Sequence, residues 1–164
     1  MAISRTNIND TTGIHLTKDA FVVIIKTEWN AHVISILEQG CKEILQEHQV
    51  AYSVLEVPGA FEIPFAINKY WSVAKKKNIG KLPDAFIALG CVIRGDTPHF
   101  DYVCEGVTQG IMNLNITLPV PVIYGLLTVN NQLQADERLG GSHGHKGKEA
   151  AAAAVKMIAF SQTL

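Results

Sequence analysis

The sequence predicts an α/β fold in which a four-stranded parallel sheet lies between two layers of helix, a three-layer α/β/α architecture. Four apolar runs rich in β-branched and aromatic residues carry that reading: Ala20–Lys26, Ala51–Val57, Asp84–Cys91 and Val120–Thr128. Each is followed by a segment with the apolar spacing of a helix. Parallel strands need long right-handed crossovers, and strands this apolar must be covered on both faces.

Taken in order, the first run leads through Thr27-Glu28-Trp29-Asn30 into a helix expected over Ala31–His48. The second passes through Pro58-Gly59-Ala60-Phe61-Glu62 into a helix over Ile63–Lys77. The third ends at a turn holding Gly95 and opens onto a helix over Phe100–Leu118. After the fourth come a helix over Asn131–Leu139, the glycine-rich loop Gly140–Gly147, and a helix over Lys148–Phe160 driven by the alanines Ala150–Ala154. Residues 20–164 read as a single domain without linker or internal repeat. Residues 1–19 are mostly polar and read as a flexible arm or an added edge strand.

A chain of 164 residues buries about two thirds of the surface it exposes when unfolded, so no covalent staple is required. The formal net charge of −1 gives no general attraction to nucleic acid. The longest basic run, Lys75-Lys76-Lys77, reads as a solvated helix end. No apolar segment approaches the roughly twenty residues of a membrane span and the polar start lacks a signal sequence, so the expected address is cytoplasmic. Cys41, Cys91 and Cys104 form no C-x-x-C pair and read as reduced core thiols. His143 and His145 have no cysteine or carboxylate beside them, so no metal is expected. The first loop lacks both a G-x-G-x-x-G fingerprint and a Ser/Thr-rich phosphate loop, which speaks against a nucleotide or flavin cofactor.

Loops that follow parallel strands gather along one edge of the sheet, where ligands bind. The run Gly90-Cys91-Val92-Ile93-Arg94-Gly95-Asp96-Thr97-Pro98-His99-Phe100-Asp101 puts a histidine just past such a turn. The Gly95-Asp96-Thr97 amides and the following helix start could hold an anion, and a histidine with a pKa of roughly 6.5 exchanges protons near neutrality. By itself His99 could equally be a structural residue at a helix start. Trp29 offers a flat face to a heteroaromatic ring, or packs against its neighbours. Glu62 could accept hydrogen bonds from hydroxyls, or complement a helix dipole. Beyond the fourth strand, which carries Tyr124, Arg138 and the loop to Gly147 supply cations suited to phosphate and polyol oxygens.

Read together, Trp29-Asn30, V-P-G-A-F-E-I-P from Val57 to Pro64, A-L-G-C-V-I-R-G-D-T-P-H-F-D-Y-V from Ala88 to Val103, G-L-L-T-V from Gly125 to Val129, and the Arg138–Gly147 segment resemble the lumazine synthase family. The likeness spans nearly the whole chain from Phe21 to the last helix. It implies a flavodoxin-like sheet and a condensation of 5-amino-6-ribitylaminouracil with 3,4-dihydroxy-2-butanone 4-phosphate, the penultimate step of riboflavin biosynthesis. No cofactor or metal is implied. By the same resemblance Trp29 stacks on the pyrimidine, Asn30 lies beside the ribityl chain, and Ala60, Phe61 and Glu62 hold that chain. Val92 and Ile93 give backbone contacts to the ring, Gly95, Asp96 and Thr97 match the phosphate turn, His99 transfers protons, and Arg138 binds phosphate. Tyr124 and Lys146 match residues contributed by a neighbouring subunit, with phenylalanine commoner than tyrosine at the former.

The resemblance further implies a homopentamer with sites between subunits, twelve of which can close an icosahedral shell, and an association with riboflavin synthase. The absence of an insertion near Gly140–Gly147 favours the shell. Two other readings stay open at this point: a related riboflavin synthase of the same fold, and a noncatalytic shell that binds flavin or lumazine.

Overall fold

The structure, a computed structural model, describes residues 10–77 and 80–164. In chain order the elements are β1 (Phe21–Thr27), α1 (Ala31–Glu47), β2 (Ala51–Val57), a 3-10 turn (Ala60–Glu62), α2 (Ile63–Lys77), β3 (Ala85–Ile93), α3 (His99–Thr117), β4 (Val122–Val129), α4 (Gln132–Asp136), β5 (Leu139–Gly141), β6 (Gly144–His145) and α5 (Lys146–Gln162). Strands β1 to β4 form one parallel sheet in the order β2-β1-β3-β4, and β5 pairs with β6 in a small antiparallel ribbon. The sheet and its flanking helices are the expected flavodoxin-like three-layer α/β/α arrangement.

Side-chain alternation along the strands explains the layers. Val22, Ile24, Ala85, Ile87 and Leu89 face one side and pack on Cys41 and Leu45 of α1 and on Ala151, Val155 and Ile158 of α5. Val23, Ile25, Phe86 and Ala88 face the other and pack on Ile63 and Ile67 of α2 and on Val107 and Ile111 of α3. Burying each of the large aliphatic side chains contributes about 1.5–3 kcal/mol. Central strands β1 and β3 are therefore apolar on both faces, whereas edge strand β2 is half exposed. Helix α5 lies close to α1 because its first turn is small: a Cβ on Gly147 would run into the backbone carbonyl of Leu37.

The chain before β1 contains no strand among residues 10–20. It is tied to the body by a bond of 2.8 Å between His48 Nε2 and Thr11 Oγ1, and by the Gln162 carboxamide, which accepts from the Thr17 N–H at 2.7 Å. The first nine residues of the expected arm lie outside the described residues. Among the described residues no helix is long and apolar enough to cross a membrane.

Four local expectations are corrected. Strand β3 continues to Ile93, so Val92 and Ile93 are strand residues, and α3 begins one residue earlier, at His99. Helix α4 ends at Asp136, short of the expected Leu139, because Leu139 pairs with His145 in the ribbon. The glycine-rich segment is consequently not an open loop. Gly140 at φ 111° and Gly144 at φ 81° supply the left-handed backbone that lets so short a ribbon reverse.

Candidate active site

The carboxyl ends of β1, β2 and β3 and the first turn of α3 enclose a cavity of about 600 Å³. Its lining includes Trp29, Asn30, Ala60, Phe61, Glu62, Val92, Ile93 and His99, which come from three separate strand exits of the sequence. The loops are fastened to one another. The N–H of Glu28 donates to Val57 O at 2.9 Å, which joins the β1 exit to the β2 exit. Asn30 sits in the left-handed region at φ 59°, a conformation asparagine tolerates, and its Nδ2 donates to Cys91 O at 2.9 Å. That bond ties the tryptophan loop to β3.

Trp29 is 73% exposed, so it does not serve as core packing and its indole face is available. Phe61 is 60% exposed on the opposite loop. Glu62 closes the 3-10 turn immediately before α2, so it complements a helix start while also lining the cavity. His99 is exposed at the first position of α3, and Pro98 before it provides no side-chain cap. The unpaired N–H groups of that first turn favour an anion nearby. Gly95, Asp96 and Thr97 form the exposed turn leading into it. Cys91 also lines the cavity, but burial first and Asp136 second push its thiol up to about 11, which leaves no thiolate for covalent catalysis near neutrality.

Arg138 and Lys146 are placed elsewhere. They line a second cavity of about 410 Å³ beside the outer edge of β4, together with Leu126–Val129, Gln134, Glu137 and His143. The Arg138 guanidinium meets the Glu149 carboxylate end-on, Nη1 to Oε1 at 2.8 Å and Nη2 to Oε2 at 2.6 Å, and Nη1 also donates to His143 O. Of the five N–H donors of an arginine this leaves the Nε side edge, a second fork that fits a phosphate. Burial pulls the Lys146 ammonium below its ordinary pKa, Glu149 opposes the shift, and Arg138 adds to it. Tyr124 lines neither cavity; its hydroxyl lies 3.3 Å from Thr108 Oγ1 on α3, and burial raises its pKa.

The sequence profile of the 6,7-dimethyl-8-ribityllumazine synthase family matches residues 19–162. The chain belongs to that family. A 6,7-dimethyl-8-ribityllumazine synthase of Porphyromonas gingivalis is 47% identical over 148 residues, covering 88% of each chain. One from Bacteroides fragilis is 46% identical over 86% of this chain and 96% of its own. One from Flavobacterium johnsoniae is 42% identical over 99% of this chain and 84% of its own.

Four lining residues of the first cavity fall within the motifs read from sequence but were given no role at the site there: Gly59, Cys91, Tyr102 and Val103. Tyr102 is the instructive one. It stands three positions after His99, the spacing that places two side chains on one helix face, and it is 69% exposed.

Proposed function

We propose that this lumazine synthase family member condenses 5-amino-6-ribitylaminouracil with 3,4-dihydroxy-2-butanone 4-phosphate to give 6,7-dimethyl-8-ribityllumazine, phosphate and water. The observation that carries the reading is the convergence of Trp29, Glu62, the Val92–Ile93 backbone and His99 on one cavity at the carboxyl edge of the sheet. An aromatic face, a carboxylate for hydroxyls and strand-end amides and carbonyls suit a ribityl-bearing pyrimidine. His99 stands where the second reactant would meet it.

Attack of the amine on a ketone, loss of phosphate, enol-to-ketone conversion and ring closure need proton transfers but no protein nucleophile. Effective molarities for aligned reactants reach about 10⁵ M or more, against roughly 10²–10⁴-fold for one acid-base group. On that comparison, holding the stacked ring and the phosphate in place dominates and His99 assists.

The site is completed by a neighbouring copy. Within one chain the two cavities share no lining residue, and the second opens at the edge strand β4. In the proposed homopentamer, Arg138, Lys146 and Tyr124 of one subunit would face the Gly95–Thr97 turn and His99 of the next. Exposed apolar side chains such as Phe65 at 72%, Ile116 at 75% and Leu133 at 68% support burial in such an assembly. An icosahedral shell of these pentamers, an association with riboflavin synthase and a cytoplasmic address belong to the same proposal.

The test is to incubate the pure protein with both substrates and follow lumazine absorbance and free phosphate together. Both should rise in step. A passive flavin binder would shift only a ligand spectrum, and a riboflavin synthase would consume added lumazine instead.

A further inference from the structure

We infer that Arg94 is a positioning residue that sets the shape of the Gly95–Thr97 turn and the placing of His99. The inference rests on the reading of that turn as the phosphate site and of His99 as the proton carrier. Arg94 is the first residue after β3, and its backbone N–H donates to Val129 O at 2.9 Å, continuing the β3–β4 ladder. Its position at the base of the turn is thus fixed by the sheet.

From that base the side chain reaches across the turn to the first turn of α3. Nη2 donates to Asp101 Oδ1 at 2.6 Å and Nη1 to Oδ2 at 3.2 Å, a forked pair. Nε donates to Asn130 Oδ1 at 3.2 Å, and the guanidinium carbon lies 4.1 Å from the centre of the Phe100 ring. One planar group therefore joins the end of β3, the loop after β4, and the two residues that follow His99.

The turn itself has little else to hold it. Residues 94 to 99 are all exposed, and a Cβ on Gly95 would touch nothing within 4 Å. With no side-chain cap at Pro98, the conformation of residues 95–98 follows from how their two ends are held. Exposed ion pairs add little to global stability. A fork of this geometry on an open turn is better matched to orienting the turn than to stabilising the fold, and lysine could not reproduce it.

The experiment compares Arg94→Ala, Arg94→Lys and Asp101→Asn in assembled protein, with steady-state constants for both substrates, inhibition by inorganic phosphate, and quenching of Trp29 fluorescence by riboflavin. A misplacement of about 1 Å at a reacting centre costs on the order of 10²-fold. Arg94→Ala should accordingly raise KM for the butanone phosphate and Ki for phosphate, and lower kcat, each by about tenfold or more. The pyrimidine KM and the flavin quench should stay within about twofold, since Trp29 and Glu62 lie on other loops. Arg94→Lys should resemble Arg94→Ala, and Asp101→Asn should shift the same constants less.

Unchanged constants in all three proteins would overturn the inference. So would full recovery in Arg94→Lys, which would reduce the role to net charge, or an equal loss for both substrates and for flavin, which would make it structural. If Arg94→Ala does not assemble, the isosteric Asp101→Asn decides the matter. Absence of competition between inorganic phosphate and butanone phosphate in the unmodified protein would instead remove the phosphate reading of the turn, and the inference with it.

Discussion

Around the first cavity the functional side chains stand free on a fastened backbone, Trp29 and Phe61 largely exposed and His99 at a bare helix start. Around the second the main charge is already engaged: Arg138 grips Glu149 end-on, while burial holds the half-buried Lys146 ammonium below its ordinary pKa. On the proposed reading, the difference follows from what each region would bind. A flat ring and a polyol are recognised by surfaces and dipoles that need no counter-charge while empty. A phosphate is recognised by cations, and two cations near each other require a carboxylate to hold them until the anion arrives. Glu149, paired with Arg138 and close enough to Lys146 to oppose its pKa shift, would do this while leaving the side edge of Arg138 open.

The largest expected effect falls on the first region. His99→Ala should lower kcat by about 10²–10⁴-fold while leaving measurable turnover, because alignment of the reactants survives the loss of one acid-base group. Riboflavin should still quench Trp29. Single-turnover rates on a correctly assembled mutant check this: complete inactivity would make His99 a nucleophile or a folding residue, and unaltered turnover would take the proton-transfer role from it.

Arg138→Ala should act on the second region alone. Charge-assisted hydrogen bonds contribute about 1.5–3 kcal/mol, so KM for the butanone phosphate should rise on the order of 10–10²-fold, with pyrimidine binding nearly normal. The same mutant sharpens the comparison between regions. When His99→Ala and Arg138→Ala subunits are dissociated, mixed and reassembled, some interfaces should carry neither lesion and activity should exceed the sum of the separate preparations. Co-assembly, shown by sedimentation, without any such gain would place both regions in sites of their own.

The contrast also marks how far the sequence could be read. The parallel sheet was legible because β1 and β3 are largely apolar, and helices of 17, 15 and 19 residues follow the first three sheet strands. Residues of the first cavity were legible because each sits within a few positions of a strand end, and Tyr102 could have been added from its spacing to His99. The second region was not legible in the same way. Its ribbon has strands of three and two residues, too short for any periodicity, and depends on two glycines with positive φ. The partner of Arg138 lies eleven residues away on the far side of that ribbon. The Arg94–Asp101 fork, seven residues apart, likewise spans a turn rather than a helix face.

The smallest expected effect is a pH dependence confined to the second region. His145 begins the path into α5, where its Nδ1 accepts from the Lys148 N–H at 3.4 Å, and its ring packs against Gly40 of α1. Burial is the main reason its pKa lies below the ordinary histidine value; Lys148 adds to the shift, and Glu43 and Glu149 oppose it. A histidine whose folded pKa is depressed binds fewer protons in the folded than in the unfolded state. Its stability contribution is present above an unfolded pKa of roughly 6.5 and is lost as pH falls through the folded value. Protonation of Nδ1 also removes the cap acceptor, and a cap contributes about 0.5–2 kcal/mol, with about 2–4 °C of Tm per kcal/mol for a chain of this size. The bond is long, so the lower end of that range applies. His145→Asn, which keeps an acceptor but does not titrate, should flatten the His145 part of the Tm decline below about pH 6.5. Acid in that window should weaken phosphate inhibition more in the unmodified protein than in His145→Asn, a difference from which the titration of phosphate itself cancels, while leaving the flavin quench of Trp29 almost constant in both, because the cap lies one residue from Lys146 and on neither loop that carries the ring. An equal acid sensitivity of both signals, retained in His145→Asn, would show that the two regions do not loosen independently.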